Sequence, residues 1–400
     1  MLTRLGIHGF KSLYDVEVPL GQVNVLVGAN GSGKSNLLEA VGLLAASASR
    51  FSNGIETFIR ENRASYNQDS PQPERPQESE DFYDQELLQR GVRPGIANLF
   101  LSSFPHKDTP ESITLFADLK SRTGLHRYET QFLGDKIRDG ALTASRSTLA
   151  YREGTGEEEQ IKRHFERLRS YVIYFPNTPV LRGTQPDITQ RLPIGLAGGR
   201  LAEAVDELLD SENATFGTMV LEDLLELLDW VDEIAVVPPS KDLISPSVPT
   251  TRSIIRFTDR WMRQDNHHVS AYDASEGALY VLFALVIAMH PQSPQFFAID
   301  NFFDQAMHPR LARATMRVFS QQLLETQRQA LITTHNPLVL DGLDLRDDRI
   351  RLFAVERNTF GATKVYRVQV SDEVIEATEN GLSLSNLWVM GRLGGVPDIF

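Results

Sequence analysis

The sequence predicts an α/β fold, a mixed sheet with flanking helices and a β-rich N-terminal lobe, and three observations carry that expectation. The run Val23-Asn-Val-Leu-Val27 leads directly into Gly28-Ala-Asn-Gly-Ser-Gly-Lys-Ser35, a full match to the phosphate-binding loop pattern G-x-x-x-x-G-K-[ST]. Asn36-Leu-Leu-Glu-Ala-Val-Gly-Leu-Leu44 follows with the three- and four-residue spacing of a helix. Two later apolar runs, Gln295–Asp300 and Gln329–His335, read as strands that end in a carboxylate and an imidazole. At 400 residues, 41% hydrophobic and 23% charged, the chain has the composition of an ordinary globular protein with a sizeable core. One large domain with insertions suits that length.

Taken in order, Leu5–Ser12, Val16–Leu20 and Val23–Val27 read as strands punctuated by glycine and proline. The helix after the loop should run to about Ser49. Residues 65–82, rich in Gln, Pro, Glu, Ser and Asp, have too little apolar surface to offset ordering entropy and are expected to form a mobile surface loop. Strands are expected at Asn98–Phe104, Ser112–Asp118 and Leu125–Leu133, then a helix at Glu157–Leu168 and a strand at Tyr171–Phe175. Residues 155–235 are expected to be a mainly helical insertion lobe, because Val205, Leu208, Leu209, Leu221, Leu224, Leu225 and Leu228 keep helical spacing. Ala278–Met289 is the longest apolar run, too short to span a bilayer at ~20 residues, and reads as a buried helix. The C-terminal part, 255–400, carries the remaining motifs.

In a loop of this kind glycines let backbone N–H groups turn toward phosphate oxygens, and the following helix N-terminus adds positive potential. Lys34 is placed to reach the β- and γ-phosphates, and the Ser35 hydroxyl to ligate Mg²⁺. The chain is therefore expected to bind a nucleoside triphosphate. Asp300, at a strand end on the same sheet edge, would hold the magnesium, and His335 would sense the γ-phosphate or orient a water. Asp273-Ala-Ser-Glu-Gly277 opens the apolar helix, so Ser275 and Gly277 offer a second anion site, or simply a helix cap. With no cysteine the chain has neither disulfides nor thiolate metal sites, which fits a cytoplasmic protein. A net charge of −13 argues against general affinity for nucleic acid. No segment reads as a membrane span.

With these motifs in place, the chain resembles the ATP-binding-cassette-type (ABC-type) ATPase heads of the RecF/SMC/OLD group. The resemblance rests on Phe10-Lys-Ser12, Gly28–Asn36, Ser275-Glu-Gly277, Ala298-Ile-Asp300 with His308-Pro309, and Thr333-Thr-His-Asn-Pro337, which are collinear across residues 2–340. It implies an ABC-type P-loop fold in a single head of 1–400, with ATP and Mg²⁺ as ligands. Lys11, Asn30, Gly31, Ser32, Gly33, Lys34, Ser35 and Asn36 would then contact nucleotide, with Ser35 and Asp300 on the metal. It also implies a homodimer or higher oligomer that sandwiches ATP, with Ser275 and Gly277 facing the γ-phosphate of the other copy.

The match has a break. Relatives usually follow the strand-end aspartate with glutamate, where this chain has Asn301, whose amide cannot accept a proton at neutral pH. Asp304 or His335 takes over as the acid, or turnover is slow, the outcome favoured here. Slow turnover suits an ATP-gated switch better than a motor. About 65 residues follow His335, and no Toprim nuclease pattern is expected among them. Between Gly91 and Val269 no sustained heptads occur, so a compact lobe replaces the coiled-coil arm of SMC proteins. The resulting expectation is a regulator of a separately encoded effector, such as a nuclease, in bacterial phage defence of the Septu and PARIS kind. The alternative is a RecF-like DNA clamp, for which Lys162, Arg163, Arg167 and Arg169 would be the phosphate contacts.

Overall fold

The computed structural model describes residues 1–51, 82–92, 100, 110–120, 125–134, 137, 144–150, 157–187, 189–303, 307–369 and 382–394. The loop expected at 65–82 lies outside them, except that Phe82 begins a helix; the strand expected at Asn98–Phe104 is described only at Phe100, which is buried.

The N-terminal lobe begins with β1 (Leu2–Phe10) and β2 (Leu13–Pro19), a hairpin that alternates buried and exposed residues along β2. Strand β3 (Val23–Val27) has all five residues buried and ends at the phosphate loop, which opens helix α1 (Lys34–Ser49). Helix α2 (Phe82–Gln89) is followed by β4 (Ser112–Lys120), β5 (Leu125–Leu133) and β6 (Ala144–Ala150). These complete an antiparallel sheet of order β2-β1-β4-β5-β6. Helix α3 (Glu157–Arg169) packs against that lobe through Ile161, Phe165 and Leu168, the Phe165 ring meeting Tyr128 edge-on at 5.0 Å.

The stretch 155–235 departs from a mainly helical lobe. It contains the two-residue strand β7 (Ile173–Tyr174), the one-turn helix α4 (Thr178–Leu181) and helix α5 (Leu201–Leu208). Next come β8 (Leu209–Asp210), β9 (Thr215–Phe216), β10 (Met219–Val220), helix α6 (Leu221–Leu227) and β11 (Val231–Val237). Strands β8 to β10 make a small sheet, and β11 pairs with β12 (Ile254–Asp259), which pairs with β13 (His268–Ser270). The leucine spacing is real, but the polar stretch Asp210–Ala214 ends α5 in a turn in which Asp210 accepts hydrogen bonds from the Glu212 and Asn213 amides at 3.1 and 3.0 Å.

Helix α7 (Glu276–Met289) is buried from Gly277 to Met289, as its all-round apolar surface requires. Strand β14 (Phe296–Ile299), helix α8 (Pro309–Glu325) and β15 (Gln329–Thr334) follow, then a 3₁₀ turn at Pro337–Gly342, β16 (Ile350–Arg357), β17 (Thr363–Val368) and α9 (Leu384–Val389). The central sheet runs β17-β16-β3-β15-β14-β7, parallel except for β17.

The period-2 rule splits the strand side chains between two cores. Val23, Val25, Val27, Phe297, Ile299 and Ile332 join α5, α7 and α8 on one face. Leu26, Phe296, Ala298, Leu331 and Phe353 join α1 and the antiparallel lobe on the other. Two fully buried amides fasten the layers. Asn24 bonds the Gly21 and Ala330 carbonyls at 3.1 and 3.0 Å and accepts from the Gly21 amide at 2.7 Å. Gln329 bonds the Leu2 and Gly21 carbonyls, both at 2.7 Å, and accepts from the Leu2 amide at 3.1 Å. Among the described residues no helix is long and apolar enough to cross a membrane.

Candidate nucleotide site at the sheet edge

Because β3, β14, β15 and β16 are parallel, their C-terminal ends share one edge, and the loop after β3 lies there. Its glycines have separate physical reasons. A Cβ on Gly28 would stand 2.1 Å from the Val355 carbonyl oxygen, and one on Gly33 would stand 2.1 Å from Thr363 Oγ1. Gly31 and Gly33 also take φ of 74° and 109°, in the region that favours glycine. Asn30 and Gly31 are exposed at the top of the loop, while Ser32 and Gly33 are buried.

Lys34, 5% exposed, spans its own loop: Nζ donates to the Gly28 and Ala29 carbonyls at 2.8 and 3.0 Å and lies 3.5 Å from His335 Nδ1. Ser35 Oγ donates to the Asp300 carboxylate, 3.1 Å to Oδ1 and 3.0 Å to Oδ2. Residues 265 and 301 positions apart therefore meet at one place. Thr333 Oγ1 donates to Asp300 Oδ1 at 2.6 Å and accepts from the Asn301 backbone amide at 2.9 Å, so one hydroxyl fixes both.

Asn301 and Phe303 have φ of 57° and 58°. Asparagine tolerates this region, whereas phenylalanine there costs about 1–2 kcal/mol. Asn336 Nδ2 bonds the Phe303 carbonyl at 3.0 Å, tying this turn to the segment after His335. Asp304 lies outside the described residues. His308 caps α8 by accepting from the Arg310 amide at 3.3 Å.

On the lobe side, Lys11 sits at the β1–β2 turn with φ of 49°, its ammonium paired with Glu39 of α1 and 4.9 Å from the Phe100 ring centre. Asn36 Nδ2 donates to Ser12 Oγ, which lies 2.7 Å from Thr363 Oγ1, and Thr363 Oγ1 donates to the Ser32 carbonyl at 2.7 Å. Below the site, Tyr171 donates to the Leu38 carbonyl at 3.0 Å. Burial, then the nearby Asp300 and Glu39 charges, raises its phenol well above the ordinary range.

Ser275 and Gly277 make their contacts elsewhere. The Ser275 hydroxyl caps α7 by accepting from the Ala278 amide at 3.4 Å, and a Cβ on Gly277 would stand 3.0 Å from Leu311 Cδ2. Sequence reading gave no role to Thr333 or Thr363. Thr333 stands inside a recognised motif, two positions before His335, where a hydroxyl directed to the neighbouring strand end is a readable signal. Nothing in the sequence around Thr363 marks it, because its importance comes from β17 folding back onto the loop.

The residues fit a magnesium-bound nucleoside triphosphate. Ser32 Oγ is buried with no hydrogen-bond partner, in a loop whose glycines admit close backbone approach. Ser35 and Asp300 supply hard oxygen donors, and no group of three or more His, Cys, Asp or Glu side chains suited to a metal occurs among the described residues. One carboxylate and a hydroxyl, completed by phosphate oxygens and water, is the way magnesium is usually held.

The fold is that of an ABC-type ATPase head. Over 94% of its length the chain superposes on 99% of an SMC head solved bound to the C-winged helix domain of ScpA, with a TM-score of 0.54 at 14% identity. The SMC head domain from Thermotoga maritima matches 92% of this chain and 99% of its own, with a TM-score of 0.49 and 14% identity. The chain belongs to the family described as "AAA domain, putative AbiEii toxin, Type IV TA system", whose pattern matches residues 23–125 and 203–341. A stretch of 44 residues is 43% identical to an OLD nuclease from Thermus scotoductus; it covers 11% of this chain and 8% of that protein's length.

Proposed function

We propose that the chain binds ATP with Mg²⁺ at this edge, hydrolyses it slowly, and pairs with a second copy around it to regulate a separately encoded effector such as a nuclease. The observation that carries the reading is the meeting of Lys34 and Ser35 with His335 and Asp300, drawn from three strand ends of the parallel sheet. The nucleotide would supply the anhydride bond to be cut and the charge that the loop neutralises. Lys34 and the loop amides would bind phosphate oxygens; Ser35 and Asp300 would hold the cation. Thr333 keeps the Asp300 carboxylate turned toward Ser35. His335 would orient a water, and Asn301 would hold one by its amide without taking its proton. That division of labour supports slow turnover.

The role as a regulator, with antiviral defence as its setting, is supported by the OLD-like motif set and by the fate of the candidate DNA contacts. Arg163 and Arg169 pair with Glu159 and Glu166, while Arg167 donates to the Gln295 and Gln327 carbonyls. Arg167 is spent within the head, and Arg163 and Arg169 sit in ion pairs along their own helix, an arrangement that supports an effector protein over duplex DNA. The test is ATP affinity and hydrolysis in Lys34→Ala and Asp300→Asn. The expected result is at least tenfold weaker binding in the first. In the second, hydrolysis is lost and the magnesium dependence of binding disappears. Unchanged values in both variants would refute the site.

A further inference from the structure

The phosphate side of the pocket is well furnished, and the hairpin that braces it carries an exposed aromatic at its tip. Strand β16 runs parallel to β3, with Ala354 opposite Val27, and continues three residues past the point where β3 becomes the loop. Its Val355 carbonyl presses on Gly28. Strand β17 returns with Thr363 clamped on Ser32, Gly33 and Ser12. The connecting turn, 358–362, therefore rises from the same edge as the loop, next to the β1–β2 turn.

That turn is rigid. Asn358 Oδ1 accepts from the Phe360 and Ala362 amides at 3.0 and 2.9 Å, the Asn358 amide donates to the Ala362 carbonyl at 2.9 Å, and Gly361 takes φ of 83°. Phe360, at its tip, is 53% exposed. A half-exposed ring at the tip of a hairpin that contacts the phosphate-loop motif offers a stacking surface, since every nucleobase has a π-face.

We propose that Phe360 is the platform for the nucleobase of the bound nucleotide, a subsite that rests on the nucleotide reading above. The β16–β17 hairpin then serves both ends of one ligand: Thr363 braces the phosphate loop, and Phe360 receives the base. Stacking is tolerant of base identity, so the subsite adds affinity for nucleosides with modest preference among them.

The test compares magnesium–ATP with magnesium–tripolyphosphate, which lacks the nucleoside, by calorimetry on wild type, Phe360→Ala and Phe360→Trp. Phe360→Ala should bind ATP about tenfold more weakly and tripolyphosphate as wild type does. Phe360→Trp should keep ATP affinity, and its indole fluorescence should change with ATP and stay constant with tripolyphosphate. Phe360→Ala binding ATP as tightly as wild type, or losing both ligands equally, overturns the platform while leaving the phosphate site standing. Wild type binding neither ligand overturns the nucleotide reading and this proposal together.

Discussion

On the proposed reading, the chemistry turns on Asn301. Its backbone amide is held by Thr333 and its φ of 57° sets its direction, so the side chain is displayed by a fixed frame. Replacing it with glutamate supplies a proton acceptor at the same place. General bases contribute about 10²–10⁴-fold, so Asn301→Glu should raise steady-state hydrolysis by on the order of 10²-fold. Glutamate is less at ease in the left-handed region, and a stability loss of about 1–2 kcal/mol should accompany the gain. Steady-state turnover of the two proteins side by side checks this; a fast wild type that gains nothing from glutamate would remove the switch reading. At this scale the sequence was legible wherever spacing carried the chemistry. Lys34, Ser35, Asp300 and His335 were all named from pattern and converge in space. Thr363 was illegible, because contact across 331 residues leaves no local trace.

Among the elements, α3 shows how burial turns into pH dependence. Ile161, Phe165 and Leu168 face the core, and His164, on the same helix, has an imidazole Nδ1 that is buried without a hydrogen-bond partner. Burial, then the positive charges of the Met1 amino group, His126 and Arg167, pushes His164 down to about 4. A group whose folded pKa lies below its unfolded value of about 6.5 takes up its proton first in the unfolded chain. Stability is therefore lost as pH falls from about 6.5 toward 4, and His164→Gln should flatten that part of the profile. Urea unfolding at several pH values, wild type against variant, reads the difference; parallel profiles would refute it. The strands β3, β14 and β15 and the helices α1 and α7 were readable because each is an apolar run bounded by polar or turn residues, whereas β16, β17 and α8 carry no motif and were not anticipated. Leu209–Val220 was misread as helix while Leu221–Leu227 is one, since leucines spaced for a helix also suit short helices broken by tight turns.

For the whole molecule, pairing of two copies around nucleotide is the expectation that the single chain leaves for experiment. Ser275 and Gly277 lie at the start of α7, away from their own chain's Lys34 contacts, which suits a role toward another copy. Sedimentation of wild type with ATP and Mg²⁺ should show a nucleotide-dependent dimer. Ser275→Arg should bind ATP with unchanged affinity and stay monomeric, whereas a variant that dimerises normally would rule the signature face out. The buried amides of Asn24 and Gln329 bear on how such a pair would behave. They rivet the first strand, the strand before the phosphate loop and the strand before His335 into one block, each amide donating two hydrogen bonds and accepting one. A head built this way would have little internal slack to absorb chemistry at its rim, so in a pair the work of each cycle would fall on the gap between two stiff bodies, opening or closing like jaws.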